Sequence, residues 1–116
     1  MALVSALAVG AGGAVGALSR YAVGRAIERR AVDTALVNVA GSFLLGVTLG
    51  LEVGGPASLA VGVGFCGAFT TFSSFAVDTV RLAEDGAPGR ALLNAAGTLA
   101  AALAAVVLGI EIAGLL

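Results

Sequence analysis

The sequence predicts an all-α integral membrane protein of four transmembrane helices, with a break in the third. Three observations carry that reading. The 116 residues are 59% hydrophobic and 11% charged, with a mean hydropathy of +1.10, whereas an average soluble domain carries about 25% charged residues. Four charge-poor windows, near 2–23, 34–51, 57–80 and 90–112, approach the ~20 residues that cross a bilayer core about 30 Å thick. The third window is crowded at its centre with glycines, threonines and serines.

In the first window, the apolar run 2–18 has no basic residue before it and Arg20 is the first charge. It is therefore read as a retained span rather than a signal peptide. Gly12 and Gly16, and then Gly46, Gly50 and Gly54, fall four apart, the spacing that lets membrane helices approach closely. Short breaks at 24–33, 52–56 (with Gly54-Gly55-Pro56) and 81–89 (with Gly86 and Pro88) separate the windows. Connections of that length join antiparallel neighbours. The fourth window has no polar side chain between residues 100 and 110, which excludes a soluble bundle, since each of its helices needs a polar stripe. The length allows one domain over residues 1–116.

Charge placement narrows the function. The net charge of −1 gives no basic face for nucleic acid. All six basic residues, Arg20, Arg25, Arg29, Arg30, Arg81 and Arg90, fall on the side of the first and third loops, while Glu52 and Glu111 are the only charges opposite. The positive-inside rule then places loops one and three in the cytoplasm and both termini outside. No acidic residue sits mid-span, Asp78 being nearest, which favours passive conduction over proton-coupled export. With no His and one Cys, the usual transition-metal ligand sets are absent. Cys66 reads as a small buried packing residue.

The chemistry-bearing residues lie in three spans. The run GFCGAFTTFSSF (64–75) is unlike a lipid-facing helix. A break near 67–71 would present main-chain carbonyls to a cation, as in sites built from discontinuous helices. Phe72 and Phe75 share a face, with Ser73 and Ser74 beside them. Their positive ring edges suit a partly dehydrated small anion, although either ring alone reads equally as packing. Asn38 and Ser42 in the second span, and Asn94 and Thr98 in the fourth, form two polar faces at i,i+4 spacing. A buried amide such as Asn38 serves either as interhelical glue or as an anion donor.

GGAVGALSRY (12–21), VNVAGSFLLG (37–46) and GFCGAFTTFSSF, in this order and spacing, closely resemble the CrcB/Fluc fluoride channel family. The resemblance implies passive, fluoride-specific efflux through two pores near the interface of an antiparallel dimer. It also implies a structural sodium ion, not transported, held by the main-chain carbonyls of Gly67 and Thr70. The fluoride pore maps to Phe72, Phe75 and Asn38 and the vestibule arginine to Arg20. Ser73, Ser74 and Thr98 supply further hydroxyls. In the fourth span, where the family usually has tyrosine and serine, Asn94 and Thr98 stand instead. Threonine keeps the hydroxyl, but asparagine changes size and chemistry.

Three other readings compete. A small multidrug-type exporter requires a membrane-embedded glutamate in the first span, and none is there. A non-conducting partner subunit of a heterodimer would share the packing motifs. An enzyme has least support, with no converging nucleophile, base and acid and no phosphate-binding loop. The expected partners are fluoride, membrane lipid, and a second copy or an oppositely oriented paralogue. The arginine bias favours the paralogue, because one chain that inserts both ways needs nearly balanced basic charge.

Overall fold

A computed structural model describes residues 1–29 and 31–116 of the chain; Arg30 of the basic set lies outside the described residues. It is all-helical among these. Helix α1 covers Ala2–Ala26, α2 Val32–Leu51, α5 Phe72–Glu84 and α6 Pro88–Gly114. Between α2 and α5 the chain runs through α3 (Gly55–Ser58), a π-helical segment (Leu59–Phe65) and α4 (Cys66–Phe69). Together Gly55–Glu84 form the third of four helical stretches long and apolar enough to cross a membrane. The bundle measures 51 × 29 × 23 Å, longer than the hydrocarbon core of about 30 Å.

Every predicted window lies within an observed span, and each span extends past it by two to four residues at one or both ends. The cause lies in the turn chemistry. Pro56 and Pro88 occupy the first turn of α3 and α6, where the missing N–H costs nothing. Gly86, at φ +80°, closes α5; the Ala87 N–H then reaches back to the Leu82 carbonyl at 2.9 Å. This left-handed cap satisfies a carbonyl that the helix end would otherwise leave open.

The interior is built from small residues. Gly16, Gly41, Gly46, Gly64, Ala91, Ala105, Gly109 and Ala113 are buried, and Val37 is the most deeply buried larger side chain. Leucines such as Leu3, Leu7, Leu18, Leu92, Leu93 and Leu103 face outward. That inversion of a soluble core is expected in lipid, where close backbone packing replaces hydrophobic exclusion as the cohesive term.

Two seams dominate, α2 on α6 and α1 on the π-helical segment. At the first, a Cβ on Gly46 would strike the Val106 backbone, and one on Gly109 would strike Phe43 and Val47. At the second, Gly12 and Gly16 meet the backbones of Ala60 and Phe65, and Gly64 meets Val9 and Gly13. The four-residue glycine spacing thus marks the seams, except that Gly54 sits in the turn at φ +68° with nothing within 4 Å of its Cβ position. The π-helical winding brings Gly64 under α1, and its last bond runs from the Cys66 N–H to the Val61 carbonyl.

A leucine at Gly46 must push α2 and α6 apart. Overpacking of this kind costs about 1–3 kcal/mol or more. Gly46→Leu is therefore expected to lower the thermal midpoint of the purified protein. Gly10→Leu, at a position where a Cβ meets nothing within 4 Å, leaves the midpoint unchanged in the same measurement.

Candidate functional site

The third span breaks at two residues. Thr70 (φ −87°, ψ 163°) and Thr71 (φ −152°, ψ 124°) are extended between the helical residues Phe69 and Phe72. The expected break at 67–71 is thus observed at its C-terminal end. In a bilayer such an interruption requires other partners for the freed peptide groups.

Asn38 supplies them for Thr71. Its Oδ1 accepts from the Thr71 N–H at 2.7 Å, and its Nδ2 donates to the Thr71 carbonyl at 2.9 Å. The side-chain amide acts as a stand-in peptide group, paired both ways with one residue of the break. One turn along α2, Gly41 makes room: a Cβ there would collide with the Thr70 methyl. Asn38 and Gly41 share a helix face at i,i+3, so the glycine lets the break approach and the asparagine holds it.

The break leaves four carbonyls, those of Gly67, Ala68, Phe69 and Thr70, without their i+4 backbone donors. The Thr71 N–H, which would bond to the Gly67 carbonyl in a continuous helix, goes to Asn38. The Ser74 N–H, which would bond to the Thr70 carbonyl, goes instead to the Thr71 hydroxyl at 3.2 Å. Thr71 is thereby the N-cap of α5, a role suited to threonine. Gly67 is exposed, and a Cβ there would meet nothing within 4 Å. Two of the four oxygens freed belong to Gly67 and Thr70, the residues that the family resemblance links to a cation.

Helix α5 is also tied to the other two spans. Arg20 reaches from α1 to donate to the Ser74 hydroxyl at 3.1 Å. From α6, Asn94 donates to the Thr79 hydroxyl at 2.9 Å, and Thr79 donates to the Phe75 carbonyl at 2.8 Å. The Phe72 and Phe75 rings lie 5.9 Å apart, tilted by 51°, within the range of favourable aromatic pairs.

Among the residues singled out in the sequence, Asn38, Gly67, Thr70, Phe72, Phe75 and Thr98 converge on one cavity of about 400 Å³. Ser42, Cys66 and Thr71 also line it, so buried Cys66 packs at its wall. None of the described residues lining it is charged. Ser74 and Arg20 lie apart, in a cavity of about 300 Å³ with Glu28, Arg29, Asp33 and Asp78. Ser73 is exposed, its hydroxyl 3.4 Å from that of Thr71. Asn94 is engaged with Thr79 and does not join Thr98 at the cavity wall.

Gly41, Thr71 and Thr79 were missed as functional positions. The first two carried a signal, glycine three residues after Asn38 and threonine three before the Ser74 N–H, at N-cap spacing. Thr79 carried none, since a lone threonine near a helix end has no distinctive pattern.

A family model described as CrcB-like protein, Camphor Resistance (CrcB), matches residues 7–110. The chain is 69% identical over 112 residues to the fluoride-specific ion channel FluC 2 of Natronomonas pharaonis, covering 97% of both chains. It is 54% identical to the FluC 2 of Haloarcula marismortui, with 91% of each covered, and 40% identical to the FluC of Thermus thermophilus, with 95% of each covered. With almost its whole length matched, the chain belongs to the CrcB-like family.

Proposed function

We propose that this chain forms a fluoride-specific ion channel in the cell membrane, lowering cytoplasmic fluoride by passive efflux. The observation that carries the proposal is the uncharged cavity where Asn38, Phe72, Phe75 and Thr98 meet the opened helix, in a chain whose relatives are named fluoride-specific ion channels. Fluoride is small and tightly hydrated, so its path must replace water with several modest donors and avoid one deep trap. Hydroxyls, one remaining Asn38 N–H and positive ring edges meet that requirement. Arg20, outside this cavity beside Ser74, draws anions toward the vestibule without binding them in the pore. Ser73 and Ser74 hand the ion between the two regions.

The carbonyls of Gly67 and Thr70 suit a structural sodium ion, an oxygen-seeking monovalent cation. Bound there, it would take up two of the carbonyl ends left without helical donors. Two oxygens per chain are too few for its coordination, so a second subunit completes the set. Partnering is further supported by Phe72, 79% exposed, and by the exposed Ser73 and Gly67, all near the centre of a membrane span. Polar backbone at that depth is tolerated only when covered by protein or lining an aqueous path. An antiparallel dimer would bring the two breaks together. Loops one and three lie in the cytoplasm and both termini outside, as the arginine bias dictates. That bias favours an oppositely oriented paralogue as the partner over a second copy.

The direct test is fluoride release from liposomes containing the chain alone, then with its paralogue. Fluoride release in either preparation is expected; none in both would contradict the channel. Phe75→Ile removes the ring edge while keeping an apolar side chain, and is expected to reduce fluoride flux strongly with dimer assembly intact. Unchanged flux would place the path elsewhere. A topology reporter fused to the C-terminus should give signal on the outer side alone, and equal signal on both sides would contradict the fixed orientation.

A further inference from the structure

The asparagine at position 94, where the family usually has tyrosine, has a defined task in this fold. Thr79 has one hydroxyl proton, and it is spent on the Phe75 carbonyl at 2.8 Å. Thr79 can therefore only accept from Asn94, whose Nδ2 lies at 2.9 Å. The direction of the chain is fixed: Asn94 N–H to Thr79 O–H to Phe75 C=O. Such linked bonds polarise one another, so the second depends on the first. A threonine bonded to its own i−4 carbonyl also sets the local bend of a helix, here over residues 75–79 of α5.

The relay ends on the residue whose ring lines the uncharged cavity. On α6, Thr98 stands one turn beyond Asn94 and lines the same cavity. The other two holds on this segment, Asn38 on Thr71 and Arg20 on Ser74, tie it to α2 and α1. Among the described residues, the Asn94–Thr79 contact is the one side-chain hydrogen bond between α5 and α6.

We infer that Asn94 is a positioning residue which, through Thr79, fixes the Phe75 ring against Thr98 and so sets the width of the path between them. The inference rests on the fluoride-channel reading for its functional consequence and on the hydrogen bonds for its structure. Losing the relay removes about one hydrogen bond of ordinary net strength from the positioning of Phe75, which corresponds to roughly a tenfold change in rate.

The test combines fluoride efflux with peptide-resolved hydrogen exchange on the full chain in lipid nanodiscs. Asn94→Ala and Thr79→Val are expected each to slow efflux by about tenfold, with the double variant no slower than either. Both should speed exchange over residues 72–79, while Thr79→Ser, which keeps the hydroxyl, restores both readouts. Wild-type efflux in Asn94→Ala, additive losses in the double variant, or a Thr79→Ser variant as impaired as Thr79→Val would overturn the relay. If the unmodified protein releases no fluoride, the channel reading falls, and the exchange data alone decide: faster exchange in both variants supports the relay, and unchanged exchange refutes it.

Discussion

The amide of Asn38 carries the two peptide hydrogen bonds of Thr71, and the rest of the site depends on that substitution. In hydrocarbon, a continuous helix satisfies every backbone group, and each orphaned N–H or C=O costs several kcal/mol. The third span would therefore close into an unbroken helix unless something offered equal satisfaction to the open form. Asn38 does so at 2.7 and 2.9 Å, with the right donor and acceptor in one side chain. Gly41 provides the clearance and Thr71 caps the new helix. Once the break is held open, the carbonyls before it lose their helical donors, the Phe72 and Phe75 rings begin a fresh helix, and a cavity opens between spans two, three and four.

The holds on that fresh helix come from all three other spans. A path selective for a small ion tolerates little displacement of its lining groups. Here the stretch 71–79 is held by a side chain from each neighbouring span, and the spans themselves are locked by glycine seams that bring backbones into contact. Small residues set the geometry and polar ones set the chemistry. The large apolar side chains face lipid.

Much of this was legible in the residues. Span number followed from charge-free length, the seams from glycine spacing, and the break from the crowding of Gly67 to Ser74. Asn38 remained ambiguous between glue and anion donor because side-chain direction is invisible in sequence; the fold gives it the gluing task and leaves one N–H over. The π-helical winding at Leu59–Phe65, which packs against α1, has no compositional signature. Asn94 was aligned with Thr98 as part of one polar face, yet its amide turns to Thr79. Two residues on the same side of a helix can serve different neighbours.

The claim at the centre is that Asn38 holds the break open and that the open break makes the path. Fluoride efflux from liposomes bearing Asn38→Leu, of similar size but with neither donor nor acceptor, tests it most directly. The account predicts a chain that still inserts and assembles but releases almost no fluoride. Efflux at the unmodified rate would contradict it.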